Sequence, residues 1–297
     1  MGELAFEASG LTKQFGEVTA LRDVSLSLRG PSIIGLIGRN GSGKTTLLRH
    51  IVGLQLPTRG QARTLGVATR NLRHEQLARI GVVPDAPTFI RWMSAGEQLR
   101  YLSTFYPRWD LERQSFLAGL LDLDLQADIS GLSTGSAQKL AIVAALCPRP
   151  DLILLDEPVS NLDPIARDQF LRLLLEVVQE DHATIVISSH VLHDIESTVD
   201  WIVCLNNGTV AADAALDDLK DQYAEWRVLA RTRDLPDRFA DAFVVRQTVM
   251  EPRRARLVVR AAGTDVRAFE HAHDADVEVA PLNLPGLFPI LVDNGRH

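Results

Sequence analysis

Along the first two thirds of the chain, hydrophobic and polar positions alternate in three rhythms. Leu4–Ala8, and later Val24, Leu26 and Leu28, follow period two, which predicts half-buried antiparallel strands. Ile33–Ile37 is nearly continuous apolar, as in a strand buried on both faces. Ile80–Val83, Leu152–Leu155, Thr184–Ile187 and Trp201–Leu205 repeat that pattern. Helical spacing fills the gaps. Thr45–Leu54 reads as a helix after a glycine-rich turn, and residues 94–147 read as helical throughout, punctuated by Pro107, Gly131 and Pro148. Asp163 is placed to cap a helix with Pro164 at its first position, and Leu171, Leu174, Leu175 and Val178 then share one face. Residues 190–199 form a further helix, and Asn207-Gly208 turns the chain into a strand at Thr209–Ala212. Strands alternating with helices imply a parallel sheet covered on both sides, hence an α/β fold, with the helical block inserted between strands.

After Lys220 the composition changes. The remaining residues hold eleven Arg and no Lys. Trp226–Ala230, Phe243–Val249, Arg256–Ala261 and Val277–Ala280 read as strands, with a helix near 265–275. This predicts two domains, 1–220 and a small α+β extension over 221–297. The basic group Arg253, Arg254 and Arg256 reads as a solvated strand edge, with a partner or an anionic lipid headgroup as the other reading.

Composition narrows the class. Net charge is −7 over 297 residues, so no nucleic-acid partner is expected. The longest stretch without a charged side chain, Val279–Val292, has 14 residues and three prolines, too short for a membrane-spanning helix of about 18 or more. The opening residues from Met1 lack a basic region followed by an apolar block, so no secretory signal is expected. Phe6 stands where a myristoylation pattern needs Ser or Thr. Cys147 and Cys204 lie in apolar runs without metal-ligand spacing and read as buried, reduced thiols.

The chemistry is concentrated in a few segments. Gly38-Arg39-Asn40-Gly41-Ser42-Gly43-Lys44-Thr45-Thr46 fits the phosphate-loop pattern G-x-x-x-x-G-K-[ST] and stands between a buried strand and a helix. Glycines let successive backbone N–H groups curl around phosphate oxygens, and the helix adds its positive end. Lys44 supplies a point charge for the β- and γ-phosphates, and the Thr45 hydroxyl suits Mg²⁺. The apolar run Leu152–Leu155 delivers Asp156-Glu157 at a strand's C-terminal edge. There Asp156 can hold Mg²⁺ and Glu157 can act as general base toward water.

Leu132-Ser133-Thr134-Gly135-Ser136, ahead of that strand, resembles the signature segment of ABC ATPases, with Thr134 and Ser136 in place of Gly and Gln. The resemblance continues through Ser160-Asn161-Leu162-Asp163, similar to the family's D-loop, and Ser188-Ser189-His190, similar to its switch histidine. It covers residues 3 to about 220. It implies a P-loop ABC-type ATPase with a mixed-sheet core, an antiparallel β subdomain and a helical subdomain at about 86–148. It further implies ATP and Mg²⁺ as ligands, His190 on the γ-phosphate, Phe15 stacked on adenine, and Ser133 and Gly135 offered to the nucleotide of a second protomer. Where the family carries Gln after a Val-Pro strand end, this chain has Asp85. A carboxylate still suits Mg²⁺ but donates no hydrogen bond when ionised. Phe105-Tyr106-Pro107-Arg108-Trp109-Asp110 also resembles a segment of exporter-type relatives, or is a proline junction between helices.

The resemblance implies an ATP-hydrolysing subunit on the cytoplasmic face of the cell membrane, as a homodimer or heterodimer with a second ATPase subunit. It would drive a transmembrane permease on a separate chain, with export favoured by analogy. The alternative class is a soluble ABC-type ATPase acting as a regulator or on nucleic acid or ribosomes. About 110 residues separate Lys44 from Asp156, without the long heptad insertion of chromosome-acting relatives. A GTPase is disfavoured by the lack of an Asn-Lys-x-Asp segment. The cargo is not encoded in these features.

Overall fold

The computed structural model describes residues 3–293, so the targeting reading at Met1 and Gly2 lies partly outside it. The chain divides into two compact units, Met1–Asp213 and Ala214–His297. In chain order the first contains β1 (Glu3–Phe15), β2 (Val18–Gly30), β3 (Ser32–Gly38), α1 (Lys44–Ile51), β4 (Arg59–Thr64), β5 (Val67–Ala68), α2 (His74–Leu77), β6 (Ile80–Val83), α3 (Ala95–Ser103), α4 (Leu111–Leu120), α5 (Thr134–Leu146), β7 (Leu152–Asp156), α6 (Pro164–Asp181), β8 (Thr184–Ser189), α7 (Leu192–Ile195), β9 (Trp201–Asn206) and β10 (Thr209–Ala215).

Six strands form the central sheet in the order β10-β9-β3-β8-β7-β6. The pairs β9–β3, β3–β8, β8–β7 and β7–β6 are parallel. Every residue of β7 and β8 is buried, which explains their unbroken apolar runs. β10 joins at the edge through Asn207 and Gly208, both at positive φ, as a two-residue turn of the primed type requires. A second sheet, β2-β1-β4-β5, is antiparallel in its pairings. Its apolar face, with Phe6, Leu11, Leu21 and Val24, shares one buried cluster with Leu47 and Ile51 of α1 and with Ile34, Leu154, Val186 and Val203 of the central sheet. The fold is α/β with a mixed core sheet and an antiparallel companion.

Several local readings are corrected. The block 94–147 is three helices separated near Pro107 and Gly131 as expected, but the linkers between them, with a turn at Asp122, are not helical. Residues 190–199 hold only one helical turn, α7. On α6, Leu171 and Leu174 are buried as expected but Leu175 is exposed, and the buried face also takes in Ala166, Phe170, Leu173 and Val177. The cap at Asp163 is as expected. Its Oδ1 accepts from Ile165 N and Ala166 N at 3.0 and 2.9 Å, satisfying two of the helix's first N–H groups. Cys147 and Cys204 are buried, and desolvation pushes both thiols up to about 12.

An ion cluster ties α4 to the end of α6. Arg113 pairs with Asp181 at 2.7 Å with both side chains nearly buried, and Arg149 bridges Asp181 at 2.6 Å and Asp110 at 3.0 Å. Asp110 also caps α4 through Arg113 N, and that backbone bond, followed by Arg149, holds its carboxyl below the usual range. The Phe105–Asp110 segment therefore ends in a cap anchored on charge.

The second unit contains α8 (Leu216–Asp221), β11 (Tyr223–Ala230), β12 (Val244–Glu251), β13 (Arg254–Arg260), α9 (Val266–His273), β14 (Ala275–Pro281) and α10 (Leu284–Asp293). Its sheet, in the order β12-β13-β11-β14, is antiparallel and buries Trp226, Val228 and Leu257 against Phe269 of α9. The basic group does not sit on a strand edge. β13 is an interior strand, and Arg256 pairs with the buried Glu225 of its neighbour β11. α10 has no counterpart in the sequence reading, which found there only a charge-free run with three prolines. Pro285 falls in the first turn, where no N–H is needed, and burial of Leu284, Leu287, Ile290 and Leu291 offsets Pro289.

Candidate active site

Three neighbouring strands, β3, β8 and β7, end at the same edge of the central sheet. Their register places Ser189 beside Ile37 and Ser188 beside Asp156. The segment that follows each strand therefore converges on one crevice, where open α/β sheets bind ligands.

β3 leads into the glycine loop. Gly43, at φ +106°, is the cap residue of α1, and no side chain covers the helix's first N–H groups. Those donors and the helix dipole are left for an anion. A Cβ on Gly43 would stand 2.6 Å from the carbonyl oxygen of Ala20 in β2. Gly208, in the β9–β10 turn, approaches the same carbonyl, to 2.8 Å from where its Cβ would be. That turn also props the loop, since Gly208 N donates to Ser42 O at 3.1 Å. Lys44 is nearly buried, and its Nζ donates to Gly38 O at 2.9 Å. Ser42 Oγ is buried without a hydrogen-bond partner.

β7 delivers the acids. Asp156 is 8% exposed and accepts from Ser188 Oγ at 2.7 Å. Glu157 turns the chain out of the strand at φ +51°, and its N–H donates to the same Ser188 Oγ at 3.0 Å. Its side-chain Oε2 accepts from His190 N at 3.2 Å and lies 2.7 Å from His190 Nδ1. A carboxylate oxygen only accepts, so an ionised Glu157 calls for a proton on the Nδ1 facing it.

A cavity of about 620 Å³, a size suited to a small-molecule ligand, is lined by Phe15, Asn40, Gly41, Gly43, Lys44, Thr45, Thr46, Asp85, Asp156, Glu157 and His190. All of these were singled out in the sequence. Gly38 and Ser42 stand behind the loop and shape it. Thr45, Asp85 and Asp156 give the wall hard oxygen donors. Phe15 is 46% exposed, with Lys13 Nζ 5.0 Å from its ring centre. Ser160 and Asn161, read in the sequence as part of a D-loop-like segment, line the cavity as well. Sequence reasoning missed Ala20, which also lines it, and gave Ser188 no role.

Ser133 and Gly135 do not line this cavity. Ser133 caps α5, its Oγ accepting from Ser136 N at 3.0 Å and lying 2.9 Å from Ser136 Oγ. Gly135 packs on the backbone of Asn161, where a Cβ would come within 2.7 Å of the carbonyl oxygen. At the two positions where the family carries Gly and Gln, this chain has two short hydroxyl side chains, Thr134 and Ser136.

Residues 21–160 match the family described as ABC transporter. The chain is 32% identical over 220 residues to the bacitracin transport ATP-binding protein BcrA of Enterococcus faecalis, covering 73% of this chain and 71% of that protein. A solved ATP-binding subunit of an ABC transporter superposes with a TM-score of 0.67 at 30% identity, covering 73% of this chain and 92% of that one. A dimeric, post-hydrolysis state of an ATP-binding cassette bound to ADP and Pi superposes at 0.64, with 26% identity over 71% of this chain and 98% of that one.

Proposed function

Since the chain belongs to the family of ABC transporter ATP-binding proteins, an ATPase subunit that powers transport, we propose how its own residues carry that activity. The supporting observation is the convergence of the glycine loop, Asp156, Glu157 and His190 on one cavity. ATP lies with its base on Phe15 and its phosphates in the loop from Gly38 to Thr46. Backbone N–H groups and Lys44 carry the β- and γ-phosphate charge.

Magnesium fits this wall. Among the described residues no cluster of three or more His, Cys, Asp or Glu could cage a metal. Mg²⁺ characteristically takes one or two carboxylates and completes its shell with phosphate oxygens and water. Thr45 and Asp156 would hold it, with Asp85 lining the same cavity, and it would supply positive charge to offset that of the phosphates. Glu157 takes a proton from the attacking water as the water oxygen bonds the γ-phosphorus and the bond to ADP breaks. Lys44 and His190 balance the charge on the transferring group.

Ser133 and Gly135 serve the nucleotide of a second protomer, so ATP is bound between two subunits. The related cassette solved as a dimer with ADP and Pi supports this reading. Closure follows because the γ-phosphate gains contacts only in the joined state. The membrane partner is a separate permease, and the chain sits at the cytoplasmic face through it. Among the described residues no helix is long and apolar enough to cross a membrane. The helical block offers a docking surface: Trp92 is 85% exposed, and Tyr101 and Phe105, edge to face at 5.2 Å, are 42% and 50% exposed. Export is the direction we infer, by kinship with a bacitracin transport protein.

The test is hydrolysis of Mg·ATP by the purified chain, with and without EDTA. Turnover should appear with metal and fall by about a hundredfold or more without it, since the cavity alone leaves the phosphate charge under-balanced. Equal rates in both arms would remove the metal from the mechanism. Asp85 adds a second expectation. Asp85→Gln restores a hydrogen-bond donor and removes a charge facing the phosphates, so kcat should rise about two- to tenfold. Unchanged ATPase kinetics and unchanged coupling to transport would show that Asp85 tunes nothing.

A further inference from the structure

Ser188 has no assigned part in this chemistry, yet it is fully buried and touches both acids. The N–H of Glu157 can only donate. The carboxylate of Asp156, when ionised, can only accept. A group lodged between them must therefore accept from one side and donate to the other. A serine hydroxyl does both: one lone pair takes the Glu157 N–H at 3.0 Å, and its single proton goes to Asp156 Oδ1 at 2.7 Å. Sheet register makes the bridge possible, because β8 sets Ser188 directly opposite Asp156.

Two residues further on, His190 holds the other end of Glu157 through its backbone N–H and its ring, both on Oε2. The end of β8 thus fixes the Glu157 backbone with one residue and its carboxylate with another. It does so at a residue whose φ of +51° a non-glycine rarely adopts without support.

We propose that Ser188 is a positioning residue for ATP hydrolysis, whose hydroxyl fixes Asp156 and Glu157 relative to each other and so aims one carboxylate at the metal and the other at the attacking water. The proposal rests on the roles given above to those two acids. By occupying Oδ1, Ser188 leaves the remaining lone pairs of Asp156 for the cavity, and by holding the Glu157 N–H it fixes the direction in which that side chain leaves the strand.

Ser188→Ala and Ser188→Thr in the full chain separate the possibilities. Alanine deletes the bridge, whereas threonine keeps the hydroxyl and adds one methyl group. Loss of a hydrogen bond to a charged group should lower kcat about ten- to a hundredfold in Ser188→Ala, with KM for ATP within about threefold. Ser188→Thr should recover most of that rate. A second readout needs no turnover. In the Glu157→Gln background, the ratio of ATP affinity with Mg²⁺ to that with EDTA should fall about three- to tenfold on adding Ser188→Ala and recover with Ser188→Thr. A purely structural serine would shift Tm and leave both kcat per folded molecule and the metal ratio unmoved, which would overturn the proposal. Equal loss in alanine and threonine variants that are both folded would overturn it too. If Glu157→Gln itself hydrolyses ATP like the parent chain, the assignment of the general base has failed instead, and the metal ratio still decides the role of Ser188.

Discussion

Glu157→Gln is expected to abolish turnover while leaving ATP bound. The substitution preserves the side chain's shape and its contact with His190, but an amide cannot take a proton from water. General-base catalysis is typically worth about 10² to 10⁴ in rate, so kcat should fall by at least about a hundredfold. Binding should not suffer. The loop donors and Lys44 are untouched, and one negative charge facing the triphosphate is gone. ATP should then hold the two-subunit state that hydrolysis normally dissolves. Light scattering with ATP should report twice the monomer mass for the variant, and a mixture or monomer for the parent chain. A variant that hydrolyses within about threefold of the parent would move the proton-accepting role to another group.

The second large effect concerns two glycines only two residues apart. Gly43→Ala should cripple ATP binding, whereas Gly41→Ala should weaken it modestly. Both glycines have positive φ, +106° and +78°, so a side chain at either costs about 1–3 kcal/mol in backbone strain. Their surroundings differ. Nothing lies within 4 Å of a Cβ on Gly41, but a Cβ on Gly43 meets the Ala20 carbonyl at 2.6 Å and Leu21 Cδ2 at 2.8 Å. The carbonyl belongs to a sheet strand paired with β1 and cannot swing aside as a side-chain tip can. The loop must move instead, and its N–H groups go with it. Equilibrium ATP titration should show a loss of tenfold or more for Gly43→Ala, about 1.4 kcal/mol or greater, and less than about fivefold for Gly41→Ala. Equal losses would mean that backbone conformation alone, not the contact with β2, governs the loop.

Much of the central sheet and of the cavity wall was legible because each strand buried on both faces is a short apolar run bounded by breakers. Motifs then fall at the strand ends, as Lys44 and Asp156 do. β4 was not legible. Arg-Gly-Gln-Ala-Arg-Thr offers only Ala62 and Thr64 to the interior, and its strand form comes from pairing with β1, a partner some fifty residues away. α10 was hidden by prolines whose cost depends on their place in the turn. The error at Leu175 came from choosing a stripe one residue out of phase. Ser188 escaped because its meaning lies across the sheet. Within its own strand it is a small polar residue at the end of an apolar run. Only the order β3-β8-β7 and the register bring it opposite Asp156.

The Ala20 carbonyl, hemmed in by Gly43 on one side and Gly208 on the other, has a consequence for inheritance. Every single-base change in a glycine codon is either silent, a stop, or a codon for a residue with a Cβ. At these two codons, far apart in the gene, no mild allele exists. Missense variants at Gly208, in a turn outside the cavity lining, should phenocopy lesions in the phosphate loop itself. In a genetic screen the two sites would sort into one class. A double mutant should also be little worse than either single one, because a phosphate loop already displaced by one side chain has less left to lose to the other.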